Sequence, residues 1–437
     1  MYICIQISIT MTLKNKFAII LLSMSLPFTV LTAQNSIKLE NYIYDEDIFS
    51  VKLCALSNCF SLPVLTLGTA QQLQLTFDDL SEGGKYLRYD FIHCSHDWKP
   101  SDMARIEYID GFEDAEIRDY AFAVNTIVPY TRYTLNFPND EMRITKSGNY
   151  ILFVYDYTKN QPILTRRFFV KENTPCSITA KVRRASNPEF SFTKQQVEFW
   201  VNTGAYNIPN PQRDLRATII QNSRWDNAII GLTYRSGGNG NYAFNYDDGR
   251  NCFWGGNSFR YFSTRSLRTN GEFVQNINFQ NRENEVYLFP EKPRPYGAYE
   301  EKTTLYGRCF YANDDLSVPN SEDYVWVNFA LTNDAKWQNG DIYVMAELTD
   351  WRYLPEAKLV FNPQSNLWET TLLLKQGFYN YQYLFLPNGG KTGIESVVEG
   401  NHWEAGNEYG IIAYLREEGS IYDKIIEVLM VYTLERW

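Results

Sequence analysis

Histidine is nearly absent from this chain: its 437 residues carry three, His93, His96 and His402. That scarcity removes the side chain most used as a general base near neutral pH and the commonest metal ligand. Cysteine is sparse too, at seven, and no Cys-x-x-Cys pair stands ready for redox or zinc chemistry. There is no Gly-x-Ser-x-Gly elbow and no glycine-rich phosphate loop leading into a helix, and Gly237-Gly238-Asn239-Gly240 reads as a turn. Paired carboxylates of the glycosidase kind leave no sequence signature, because their pairing is spatial. The balance is against an enzyme, a cofactor and a small-molecule substrate. Net charge is −10 with the acidic excess spread along the chain, which argues against a nucleic-acid partner. Long apolar runs are missing as well: none reaches the ~20 residues that span a bilayer.

What is present is aromatic. Tyr (32) and Phe (27) bring the aromatic share to 16%, and both suit a pleated, half-buried surface. Short aromatic and β-branched segments recur between Gly, Pro, Asn and Asp: Leu73–Phe77, Tyr86–His93, Tyr150–Tyr155 and Arg166–Val170, then Gln196–Val201, Arg216–Gln221, Tyr324–Leu331, Asp341–Ala346 and Tyr379–Leu386. Period-2 alternation within them predicts an all-β fold of about three tandem immunoglobulin-like, early-set β-sandwich domains. Tyr422–Glu435 fits a helix or a strand equally.

At the N-terminus, Lys14 and Lys16 precede the apolar run Phe17–Leu31, with Thr32 and Ala33 at its exit. This is the pattern of a signal peptide over residues 1–33, so export to the periplasm of a Gram-negative envelope is expected, with Met1 or Met11 as the start. No Cys follows the run to take a lipid. Charged residues and Pro175 at Lys171–Cys176, and the proline-rich stretch Pro290–Tyr299, read as linkers. They divide the mature chain into domains at 35–173, 174–300 and 320–437, with 301–319 an ordered arm. In an oxidising compartment the spacing of Cys54 and Cys59 permits a small disulfide loop.

The cluster His93, Cys94, His96 and Asp97 invites a metal reading, but in a strand His93 and His96 fall on opposite faces. A strand end, with Asp97 opening a turn and Trp98 packing on the core, explains it without metal. Near the C-terminus, Ile342–Trp351, Asn366-Leu367-Trp368-Glu369 and Gly377-Phe378-Tyr379-Asn380-Tyr381 follow one another in an order that resembles early-set modules binding starch and glycogen. That likeness implies Trp351 and Trp368 as sugar-stacking faces; as bare residues they read rather as core aromatics at a sandwich edge, because fold resemblance does not carry function.

A wider resemblance runs through the mature chain. It is carried by His93–Ser101, Glu107–Phe112, Ile117–Tyr120, Asn125-Thr126, Tyr130–Tyr133, Phe137–Asn139 and Ser147–Tyr150. Gln221–Ala228, Gly255–Arg260, Arg265–Arg268, Asp323–Val327 and the Trp351 region extend it. These motifs are similar to those of the plug proteins of the type IX secretion system of Bacteroidota. The Cys54–Cys59 segment departs from that pattern. The resemblance implies a periplasmic protein, peripheral to the inner face of the outer membrane, that binds and closes the secretion translocon barrel. Tyr130, Arg132, Trp225 and Arg260 are then candidate interface anchors, because Tyr, Trp and Arg carry most interface energy, and each suits bracing its own loop equally well. The rival reading is a glycan-binding protein using the C-terminal domain.

Overall fold

Alternating burial marks the strands. Over residues 87–93 and in Thr131–Phe137 every second side chain is buried and those between are half-buried or exposed, as one-sided packing requires. The computed structural model describes residues 37–433, apart from 82, 205, 207, 281, 303 and 333–336. The signal peptide read at 1–33 lies outside the described residues. Lys38–Trp437 forms one compact unit, and no helix among the described residues is long and apolar enough to cross a membrane.

The first sandwich comprises β1 (Ile48–Ala55), β2 (Leu73–Asp79), β3 (Leu87–Cys94), β4 (Asp119–Phe122), β5 (Thr131–Phe137), β6 (Gly148–Asp156) and β7 (Gln161–Lys171). One sheet has the order β1-β2-β5-β4; the other runs through β7-β6-β3. Between them lies a core of Leu73, Leu75, Phe77, Tyr89, Phe91, Phe137 and Phe168. Cys54 and Cys59 are joined as a disulfide.

The second sandwich uses β8 (Ser177–Arg184), β9 (Lys194–Asn202), β10 (Leu215–Gln221) and β11 (Asn241–Phe244). The third uses β12 (Arg260–Ser263), β13 (Val274–Gln280), β14 (Glu283–Leu288), β15 (Tyr324–Thr332), β16 (Gly340–Met345), β17 (Leu367–Lys375) and β18 (Gly377–Pro387). The chain then returns. β19 (Glu408–Leu415) pairs with β10, β20 (Lys424–Tyr432) pairs with β19, and β20 meets β7 in parallel at Lys171 and Ile425. A single 10-stranded sheet therefore runs from the second sandwich into the first.

Three expectations change. The 174–300 domain loses its end, because β12 pairs with β18 and β14 with β15, placing Arg260–Leu288 in the third sandwich. The 320–437 domain loses β19 and β20 to the second. And the proline-rich stretch at 290–299 is no boundary, since Arg294 is pinned there by its N–H to the Val398 carbonyl and its guanidinium to Glu399. The crossover lies near Gly255, whose absent side chain matters: a Cβ there would stand 2.0 Å from the His402 carbonyl oxygen. The arm at 301–319 contributes Cys309–Tyr311 as a strand beside β18. The open C-terminal segment is a strand.

Candidate functional site: the sandwich junctions and the exposed edge

Of the four residues expected as anchors, three sit at junctions inside the molecule and Arg260 within the third sandwich. The phenol of Tyr130 is buried, its ring 5.5 Å from Tyr324 and 3.9 Å under the Lys375 ammonium. Lys375 Nζ, on β17, donates to Asp78 Oδ2 on β2 at 2.6 Å, and both side chains are 0% exposed. Tyr324 OH donates to the same oxygen at 2.8 Å, while Arg132 Nε lies 3.5 Å from Asp78 Oδ1. This is a charged bolt between the first and third sandwiches. Burial holds the Lys375 ammonium down to about 8, against the pull of Asp78. Beside it, Arg166 pairs with Asp350 at 3.2 Å and Lys52 with Glu347 at 3.3 Å. A cleft of about 430 Å³ runs along this junction, floored by Ile48, Phe49, Leu372 and Leu374.

Trp225 belongs to the junction of the first and second sandwiches. Its ring meets Trp98 edge-on at 5.2 Å, and the Arg167 guanidinium lies 4.3 Å from each of the two indoles. Ile220, Ile412, Tyr414 and Ile425 complete that apolar seam with Phe169 and Ile151. Arg260 is buried in the third sandwich, where its Nε donates to Glu399 Oε1 at 2.9 Å and its Nη2 to the Lys292 carbonyl at 2.9 Å. Burial alone would push the Glu399 carboxyl up; Arg260 and Arg294 outweigh it and hold it at about 2. Tyr130 and Arg260 are thus corrected from outward anchors to internal braces: Tyr130 is buried beneath the Lys375 ammonium, and the Arg260 guanidinium is spent on Glu399 and Lys292. Arg132 and Trp225, half-buried, are likewise committed to Asp78 and Arg167.

The histidine cluster disperses. His93 Nε2 meets the Ser147 carbonyl at 3.0 Å, and burial holds its imidazole down to about 4. His96 points elsewhere, with Nδ1 3.0 Å from Asp423 Oδ2, an oxygen that also accepts the His96 backbone N–H. Asp97 accepts from Ser95 Oγ and pairs with Lys99. Among the described residues no group of three or more His, Cys, Asp or Glu is placed to hold a metal. Trp351 and Trp368 are both half-buried against the third core. The Trp351 ring lies over Gly307, where a Cβ would come within 2.5 Å, and Trp368 packs on Trp337 and Phe361. Neither presents a free flat face to a sugar, so the glycan reading is not favoured.

Exposed apolar side chains are scattered over the surface, with one run of them at a sheet edge. On β4, the outermost strand of its sheet, all four side chains are exposed, and Val124 and Ile127 follow in the same state. No signal at the level of residue type singled this strand out. The uncharged run that follows Asp119, from Tyr120 to Pro129, was there to be read.

Residues 48–172 match the family model described as the type 9 secretion system plug protein first domain. The chain also resembles a crystal structure of a hypothetical protein from Parabacteroides merdae, with TM-score 0.86 and 33% sequence identity over 91% of this chain and 100% of that one. No curated protein matches it significantly.

Proposed function

We propose that the chain is a secretion-system plug, as the match of residues 48–172 to the plug protein first domain suggests: a periplasmic protein that binds the outer-membrane translocon barrel and occludes it. Its association with the secretion system follows from the match over 48–172. Occlusion rests on one observation above the rest, the locking of three sandwiches into one body. The shared sheet joins the first and second, and the Asp78–Lys375 bolt joins the first and third. A stopper must keep its shape under contact with a wide pore, and buried junctions of this kind resist bending where flexible linkers would yield. The work done is that of shape and interface, with no bond made or broken.

Co-purification tests the reading. An epitope-tagged chain expressed in its own host and extracted in mild detergent should bring down the secretion barrel. Its deletion should raise outer-membrane permeability to large solutes when the translocon stands empty. A barrel that never travels with the chain, or unchanged permeability, rejects the plug.

A further inference from the structure

Strand β4 is bonded on one side only. Its sheet ends there, and its register sets Tyr120 opposite Tyr133, Ala121 opposite Arg132 and Phe122 opposite Thr131 on β5. Ala123 continues the ladder inward, donating its N–H to the Tyr130 carbonyl at 2.9 Å. Bonded positions alternate in an antiparallel pair, so Asp119, Ala121 and Ala123 face β5 while Tyr120 and Phe122 turn N–H and C=O outward. The next outward group shows the same phase: Val124 donates its N–H to the Asn320 carbonyl at 2.9 Å. The edge already takes a neighbouring chain segment at one end.

Side chains point the same way. Tyr120 is 53% and Phe122 64% exposed, their rings 5.8 Å apart, and Tyr120 lies 6.0 Å from the buried Tyr133. The stripe is therefore the core face of the sandwich carried one strand past its cover. From Tyr120 to Pro129 there is no charged residue, in a chain that is 21% charged. Exposed edges are ordinarily blunted by charge, proline, a bulge or a covering segment; within its span β4 has only the charge of Asp119 at its start.

We propose that β4 is a docking strand, and that an extended, uncharged segment of the translocon barrel protein adds to it as a fifth strand. Outward backbone groups call for extended chain, and the uncharged stripe calls for a segment without charge. A second copy fits less well, because it would set two bodies of net charge −10 edge to edge. The inference rests on the plug reading and adds its mode of attachment.

Two variants test it in the full-length chain. Tyr120→Pro removes an outward N–H without touching the ladder to β5, and Phe122→Lys restores the missing charge. Phe279→Lys, at an equally exposed ring on β13, serves as control. The wild type and the control should retain the barrel, and each β4 variant should retain at least tenfold less at unchanged melting temperature. Equal retention by all four overturns the docking strand and leaves the plug standing. No retention by the wild type rejects the plug and the strand's named partner with it. A wild-type dimer in light scattering that Phe122→Lys converts to monomer replaces the barrel segment by a second copy. Should a variant misfold, amide exchange decides: the Tyr120 and Phe122 amides of the wild type must slow on binding the barrel, and unchanged exchange overturns the strand.

Discussion

Asp78 and Lys375 meet where neither touches solvent, and two charges so placed are held as much by each other as by the fold. Removing one leaves the other buried and uncompensated, whereas removing both takes the charge pair out together and leaves only Arg132 and the Tyr324 hydroxyl without Asp78. Lys375→Met should therefore lower stability by about 3–5 kcal/mol, and Asp78→Leu added to it should recover most of the loss, both read from urea denaturation. His93 sets a different dependence. Its folded-state pKa of about 4 lies below the ordinary 6.5, so between those values the unfolded chain binds the extra proton. Stability is then intact above pH 6.5 and falls as pH drops toward 4, by up to about 3 kcal/mol. Glu399, held at about 2 from an ordinary 4.5, adds a further loss below pH 4.5. Denaturation midpoints between pH 7 and 4 should slope downward, and His93→Gln should flatten the upper part of that slope.

At the scale of the strand, β19 is the piece that fixes the architecture. All eight of its residues are buried, since Ile411 and Ala413 face the second core while Ile412 and Tyr414 face the seam with the first. Adjacent positions on an ordinary one-sided strand differ sharply in cost when truncated. Here Ile411→Ala and Ile412→Ala should each cost about 2–5 kcal/mol in urea unfolding. The stretch Glu-Tyr-Gly-Ile-Ile-Ala-Tyr-Leu carries the continuous apolar character of a strand covered on both faces. Its partners were beyond local pattern: Ile219 pairs with Ile411 across nearly the whole second half of the chain. The all-β class was legible because alternation is local, and so was Trp98 on the core. The boundaries misled because proline marks a bend in the chain, and Pro290–Tyr299 bends within the third sandwich. Tyr130 and Arg260 misled for a related reason. Aromatic and guanidinium groups at turns serve an interface and an internal junction alike, and only long-range packing decides which.

For the molecule as a whole, the junctions decide whether three sandwiches behave as three or as one. Tandem immunoglobulin-like domains on short linkers commonly unfold separately, because their mutual surface is small and polar. In this chain β10 and β20 sit in one sheet with β7, so the second sandwich cannot open without tearing the edge of the first. Its own closing strands arrive only after the third has been threaded, and Arg308–Glu408 and Arg224–Glu395 tie those two together. The third cannot leave the first without exposing Asp78, Lys375, Arg166 and Asp350 at once. Calorimetry of the chain should accordingly show one transition, with calorimetric and van't Hoff enthalpies in agreement. Lys375→Met should shift that transition down without splitting it if the seam between the first and second sandwiches carries coupling of its own. Two resolved transitions in the wild type would mean that the sandwiches are hinged. A hinged row would follow the motions of a pore mouth and could not hold it shut.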